Sequence, residues 1–162
     1  RPDSIARALD DVGPIDALVN NAGIGLSGSF FATTTEDWRK VLDVNLWGVI
    51  HGCRLFGARM AERGQGGHIV NIASAAAFQP SRVLPAYSTS KAAVLMLSEC
   101  LRAELASQAI GVTAICPGIV NTNITSTRGV VLMADMTASS SPSGLPTFMD
   151  IELTFCAFTA RV

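Results

Sequence analysis

The only tyrosine of this 162-residue sequence stands four residues before one of its two lysines, as Tyr87 and Lys91. If the segment is helical, four residues is about one turn, so both side chains share a face. A nearby ammonium favours a phenolate, which predicts a Tyr87 pKa below its ordinary value of about 10. Such a phenol can take a proton from an alcohol or give one to a carbonyl. Alone, the pair could equally be an amphipathic-helix tyrosine beside a solvated lysine.

Two further polar residues stand where a ligand could meet them. Ser74 follows the apolar run 67–73, which is typical of a buried strand. In α/β folds such strand ends hold ligand-contacting groups. Asn45 lies within a long apolar helix. Alternatively, Ser74 could be a loop hydroxyl and Asn45 a buried amide bonded to backbone.

Two turns with small residues flank these positions. An apolar strand closes in Asn-Asn-Ala-Gly, which contains Asn20, Ala22 and Gly23, and a later strand is broken by Pro117-Gly118. A cofactor lying against backbone needs residues without bulk, which alanine and glycine provide. Both segments could also be turn chemistry alone.

In order and spacing, these segments resemble the short-chain dehydrogenase/reductase family from Ala17 to Thr125. The resemblance implies an α/β fold: a partial Rossmann-like, doubly wound parallel sheet in three α/β/α layers. It also implies an oxidoreductase that interconverts an alcohol and a ketone or aldehyde, with NAD or NADP as the hydride carrier.

The resemblance assigns a role to each of four catalytic residues. Tyr87 would be the general acid/base, and Lys91 would lower its pKa and bind the nicotinamide ribose. Ser74 would hold the substrate oxygen, and Asn45 would anchor a water in a proton relay behind Lys91. The residues implied to bind the cofactor are Asn20, Ala22, Gly23, Asn45, Tyr87, Lys91, Pro117, Gly118, Ile119 and Thr122.

The glycines at 23, 25 and 28 fit the dinucleotide pattern G-x-G-x-x-G, but the context argues against that interpretation. The pattern requires a helix that opens within the glycines, whereas helix signals begin only at Thr35. The family's own phosphate-binding glycine loop would precede Ala17, and no such loop is present. We therefore expect the first strands to be missing, together with the residue that separates NAD from NADP.

The missing loop leaves an alternative function open. The chain could be a truncated, inactive remnant of a dehydrogenase, or a non-catalytic interaction protein. A dehydratase or epimerase on the same scaffold is a third alternative, because a fold does not fix a function.

The composition is that of an ordinary globular chain, with 49% hydrophobic residues and a net charge of −1. No basic cluster predicts a nucleic-acid partner, no polybasic helix predicts a membrane surface, and no apolar run could span a bilayer. With no signal-peptide pattern either, we expect a cytoplasmic protein that acts on a small molecule.

The cysteines predict free thiols in a reducing compartment, because they show neither paired spacing nor a histidine cluster. They are Cys53, Cys100, Cys116 and Cys156. We therefore predict no metal site. His51 and His68 are isolated, which favours a core or surface role. A Ser-His-Asp hydrolase would prefer G-x-S-x-G, which the sequence around Ser74 does not match.

Periodicity predicts alternating strands and helices, as a parallel sheet requires. The predicted elements are a helix over 3–12, a strand over 16–21, a helix over 35–63 with Thr35 as N-cap, a strand over 68–73, a helix over 85–107, and a strand over 112–116 after Gly111. We expect a domain over 1–128 and a divergent, partly flexible tail over 129–162, because the run 137–144 is rich in serine and proline.

The resemblance also implies a homodimer or homotetramer, in which the two long helices pack against a partner subunit. The apolar residues of the second helix could equally be ordinary core. They are Val94, Leu95, Leu97, Leu101 and Leu105.

Overall fold

A computed structural model describes residue 7 and residues 10–118 of the chain. Three strands, β1 (Ala17–Asn20), β2 (Gly67–Ile72) and β3 (Ile110–Ile115), form one parallel sheet in the order β1-β2-β3. The predicted parallel α/β class is therefore confirmed as a partial sheet. The polar carboxyl ends of the strands meet at one edge, because the register pairs Asn20 with Asn71.

The helix predicted over 35–63 consists of three segments. Helix α1 (Thr35–Leu42) leads into a π-helical turn over 43–47, and α2 (Gly48–Arg63) follows. Gly64 ends the run in the left-handed conformation, with φ at 65°, where glycine carries no steric penalty. The π-helical turn was not predicted.

The prediction of Thr35 as N-cap is wrong by one residue. Thr34 caps α1: its side-chain oxygen accepts from the Asp37 amide at 3.2 Å, and the Asp37 carboxylate accepts from the Thr34 amide at 3.0 Å. This reciprocal capping box needs an acid three residues after the cap. Asp37 therefore makes Thr34, and not Thr35, the N-cap.

Helix α3 (Pro85–Leu105) carries proline in its first turn and is followed by a 3₁₀ turn over 106–108. The next strand begins at Ile110, earlier than predicted, so Gly111 lies inside β3. Gly111 pairs with His68 of β2, whose ring occupies the space that a β-carbon at 111 would need. Glycine here permits close strand pairing.

The core lies between the sheet and the two long helices. Val49 and Met60 of α2, Val94 of α3 and Ile69 of β2 are buried there, and Leu105 closes the cluster. Leu95, Leu97 and Leu101 pack partly against it. In the described residues, the apolar face of α3 thus serves as core.

Several predictions fall at or beyond the ends of the described residues. Residues 10–12 are helical, as expected from the helix predicted over 3–12. Ile119, Thr122 and the tail over 129–162 lie outside the described residues, so the division at 128 stays a prediction.

Candidate active site

Lys91 lies in the second turn of α3 with its side chain buried, only 4% of the residue being exposed. Its ammonium donates to the Ile72 carbonyl oxygen at 2.7 Å, which anchors it at the carboxyl end of β2. Burial lowers the pKa of Lys91 to about 8, and the electrostatic influence of Cys116 opposes that shift. An amine with this pKa changes charge near physiological pH.

Tyr87 lies one turn earlier on α3, and the Lys91 ammonium nitrogen is 5.8 Å from the centre of its ring. The two side chains therefore share a face, as their spacing predicted. The predicted direction of the pKa shift is wrong: burial raises the pKa of Tyr87, and a hydrogen bond with the Ser74 side chain only partly offsets the rise. Spacing reveals a neighbouring charge but gives no measure of burial.

Ser74 follows β2 and is buried beside Tyr87. It adopts an extended conformation, and its hydroxyl oxygen accepts from the Ala76 amide at 3.2 Å, which caps a 3₁₀ turn over 75–77. Backbone bonds fix this segment to the end of β3: the Ala73 amide donates to Ile115 at 2.8 Å and the Ala75 amide to Pro117 at 2.9 Å. Two strands thus set the position of the Ser74 hydroxyl.

Asn45 is fully buried in the π-helical turn. Its side-chain oxygen accepts from the Ile24 amide at 2.8 Å, and its nitrogen donates to the Ile24 carbonyl at 3.0 Å and to the Ser90 hydroxyl at 3.0 Å. Both amide hydrogens and the carbonyl oxygen therefore have protein partners.

Gly23 brings the loop after β1 against this group. A β-carbon at this position would lie 3.5 Å from the Lys91 ammonium nitrogen and 3.6 Å from the Asn45 side-chain oxygen. Ala22 and Gly118, which follow β1 and β3, are exposed. The structure thus gathers Gly23, Asn45, Ser74, Tyr87 and Lys91 at one sheet edge.

The loop that carries the G-x-G-x-x-G pattern contains no helix, and α1 begins only at Thr35. The rejection of a dinucleotide fingerprint at Gly23, Gly25 and Gly28 is therefore confirmed. Gly28 instead donates to the Val83 carbonyl at 2.8 Å, which joins this loop to the segment before α3.

The side-chain amide of Asn20 points toward the core, away from the loop that follows β1. Its nitrogen donates to the Asn71 side-chain oxygen at 2.8 Å and approaches the Cys53 sulfur at 3.4 Å, and the Asn71 nitrogen donates to the Ser98 hydroxyl at 2.9 Å. This polar network, made of Asn20, Cys53, Asn71 and Ser98, lies behind the candidate site.

Sequence reasoning missed Asn71, Ser90 and Ser98. Ser90 had a signal, because it precedes Lys91 and follows Tyr87 by three residues, a spacing that returns to the same helix face. Asn71 and Ser98 had none, since each is a polar residue in an otherwise apolar pattern.

Other kinds of site find no support in the described part of the chain. Residues 7 and 10–118 contain no cluster of three or more histidine, cysteine or acidic side chains that could hold a metal ion. Within the same range, no helix combines the length and apolar character needed to cross a bilayer. A surface cavity lies at the other end of β1, lined by Gly13, Phe56 and Arg63 among others, away from Tyr87 and Lys91.

A parallel sheet whose edge gathers Ser74, Tyr87 and, one turn after the tyrosine, Lys91 matches the arrangement that the resemblance to the short-chain dehydrogenase/reductase family implies. The sequence model of the short chain dehydrogenase family matches residues 2–130. The chain belongs to this family.

Similar proteins span several functions within the family. Over 123 residues the chain is 56% identical to a protein of Mycobacterium tuberculosis named "Probable oxidoreductase EphD", a match that covers 76% of this chain and 21% of that protein. It is 43% identical over 112 residues to an NADP-dependent (R)-specific alcohol dehydrogenase of Lentilactobacillus kefiri, covering 68% of this chain and 44% of the relative.

A solved structure shows the same fold. The crystal structure of a gluconate 5-dehydrogenase from Burkholderia cenocepacia in complex with NADP and tartrate superposes with a TM-score of 0.71 at 32% identity. The match covers 76% of this chain and 48% of that one. The chain thus spans between about a fifth and a half of the length of these three proteins.

Proposed function

We propose that the chain carries the catalytic centre of an NAD(P)-dependent oxidoreductase that interconverts an alcohol and a ketone or aldehyde. One observation carries the proposal: Tyr87 and Lys91 share one face of α3, with the Lys91 ammonium nitrogen 5.8 Å from the centre of the Tyr87 ring, and the buried Ser74 side chain acts on the Tyr87 phenol. A proton donor, a second hydroxyl and a cation therefore face one small region, which suits a substrate oxygen that changes charge.

Each side chain has a defined part in the proton chemistry. In reduction, the Tyr87 hydroxyl gives its proton to the carbonyl oxygen as that oxygen becomes an alcohol. In oxidation, the Tyr87 phenolate takes the proton of the alcohol. Ser74 holds the oxygen in both directions, because a hydroxyl can donate or accept. Lys91 stabilises the Tyr87 phenolate while the lysine amine carries its proton.

The residues at the sheet edge fit a nicotinamide cofactor. Lys91 donates one of its three N–H groups to the Ile72 carbonyl oxygen, which leaves two for ribose hydroxyls. Gly23 lies against the Lys91 ammonium without a side chain, and Ala22 and Gly118 are exposed. When bound, the cofactor supplies or accepts the hydride. The similarity to an NADP-dependent alcohol dehydrogenase and to a structure with NADP supports this class of cofactor.

The hydrogen bonds of Asn45 determine which of its groups could hold a relay water. Its side chain is occupied by Ile24 and Ser90, so a relay water would bind to the backbone of the π-helical turn. Asn20 would face the cofactor through its backbone, because its amide nitrogen donates to Asn71. Pro117, Ile119 and Thr122 complete the proposed cofactor contacts.

The first test is a fluorescence titration of the purified chain with NADH and, separately, with NADPH. Saturable binding supports the proposal and identifies the cofactor. A folded chain that binds neither would instead favour the alternative, a non-catalytic remnant of a dehydrogenase.

The second test replaces the proposed acid/base. Tyr87→Phe should abolish turnover of a carbonyl substrate and leave the cofactor Kd nearly unchanged, whereas Lys91→Ala should impair both. Ser88→Ala is the matched control, since the Ser88 hydroxyl is buried without a hydrogen-bond partner. Turnover of the Tyr87→Phe variant equal to that of the Ser88→Ala variant would contradict the mechanism.

A further inference from the structure

Ser90 occupies a position that the proposed chemistry does not explain. It lies on α3 between Tyr87 and Lys91, and its exposed fraction is 0%. Its hydroxyl accepts from the Asn45 side-chain nitrogen at 3.0 Å and donates to the Tyr87 carbonyl oxygen at 2.7 Å. One buried hydroxyl therefore joins two residues of the candidate site that lie on different elements.

The connection extends across three segments of the fold. The Ile24 backbone is held by Asn45 through both its N–H and its carbonyl, Asn45 donates to Ser90, and Ser90 donates to Tyr87. The loop after β1, the π-helical turn and the first turn of α3 are thus fixed to one another. In this series of hydrogen bonds, Ser90 is the residue that bonds directly to Tyr87.

We propose that Ser90 is a positioning residue, which sets the place of Tyr87 by locking the first turn of α3 to Asn45. This inference rests on the proposed function for its effect on turnover, but the position of Tyr87 can be measured without turnover. Ser90 itself would touch neither substrate nor cofactor, because its hydroxyl is occupied by protein groups on both sides.

The same helix supplies a matched control. Ser98 is 2% exposed, its hydroxyl accepts from the Asn71 side-chain nitrogen at 2.9 Å, and it donates to the Val94 carbonyl at 2.8 Å. Ser90 and Ser98 thus make the same pair of bonds, to a buried asparagine and to a carbonyl of α3. Only the partners of Ser90 include Tyr87.

The experiment compares Ser90→Ala with Ser98→Ala. Because the chain has a single tyrosine, the absorbance of its phenolate during a pH titration reports on Tyr87 alone. We expect the pKa of Tyr87 to fall toward its ordinary value in Ser90→Ala, since a loosened first turn admits water to the buried phenol, and to stay at the wild-type value in Ser98→Ala. Among the described residues, the Lys91 ammonium nitrogen lies 5.8 Å from the Tyr87 ring, and Cys116 after β3 acts on Lys91.

Turnover gives the second readout. Ser90→Ala should lower kcat by about tenfold or more with little change in KM, because a displaced proton donor slows the chemical step. Ser90→Cys, which keeps a weak donor of similar size, should recover part of kcat. Ser98→Ala should keep the wild-type kcat and pH profile.

The outcomes separate the inference from the function on which it rests. A Tyr87 titration that is unchanged in Ser90→Ala, or shifted equally in Ser98→Ala, would overturn the positioning role. A wild-type chain that turns over no carbonyl substrate would count against the proposed function alone, since the phenol titration would still measure what Ser90 does.

Discussion

At the scale of single residues, Lys91 couples the candidate chemistry to stability. Its amine is buried, and its pKa is lowered to about 8 from the ordinary value of 10.5. The folded chain therefore binds fewer protons than the unfolded chain between these values. The sign follows from proton linkage: the contribution of Lys91 to the free energy of unfolding rises as pH increases through this window.

A comparison of wild type with Lys91→Met tests this linkage. We expect the free energy of unfolding of the wild type, relative to the variant, to increase by up to about 3 kcal/mol between pH 8 and 10.5. Urea unfolding at several pH values measures it. A difference that stays flat over this range would mean that the lysine is hydrated in solution.

The sequence predicted which chemical groups form the site better than it predicted their pKa values and hydrogen-bond partners. The spacing of Tyr87 and Lys91 placed them correctly on one face, because helix geometry is local. The raised pKa of Tyr87 was not predictable, since it depends on how deeply the folded chain buries the phenol. Likewise, the Asn20 amide has its partner at Asn71, which is distant in sequence.

At the scale of elements, the start of α1 shows how neighbouring residues decide a boundary. Three consecutive threonines, Thr33, Thr34 and Thr35, offer the same cap chemistry, so the sequence alone left the N-cap uncertain by one residue. The exchange of bonds with Asp37 selects Thr34. The π-helical turn after α1 had no sequence signal at all.

The cap predicts a clear difference between two neighbouring substitutions. Thr34→Ala should lower the free energy of unfolding by about 1 kcal/mol, because it removes the side-chain acceptor of the Asp37 amide. Thr35→Ala, the matched control, should have little effect, since Thr35 is exposed within the first turn. Chemical denaturation of both variants measures this. Equal losses would contradict the assigned cap.

At the scale of the whole molecule, the polar network behind the site joins four elements. Asn20 belongs to β1, Asn71 to β2, Cys53 to α2 and Ser98 to α3, and their bonds cross the core between sheet and helices. A buried network of this kind stabilises only when its members stay paired, because each unpaired polar group is costly.

Gly52 on α2 tests how tightly this network is packed. A β-carbon at 52 would collide with the Asn20 side chain, so Gly52→Ala should lower the free energy of unfolding by about 1–3 kcal/mol. Gly48→Ala on the same helix would bring a β-carbon only to 3.9 Å from the Asp43 carbonyl oxygen. That control should be neutral or stabilising by up to about 1 kcal/mol. Thermal unfolding distinguishes them, and a harmless Gly52→Ala would show that Asn20 can move aside.

The π-helical turn over 43–47 has a further consequence, for comparisons among homologous chains. There the Gly48 amide bonds to the Asp43 carbonyl, five residues back instead of four. The turn accommodates one residue beyond ordinary α-helical phase, and one residue corresponds to about 100° of rotation. Because the turn absorbs that rotation, deleting one residue here would restore the ordinary four-residue spacing of the hydrogen bonds and leave α1 in about the same phase relative to α2. A single alignment gap over 43–47 would therefore mark a homologous chain in which this helix is continuously α-helical, and not a shortened loop.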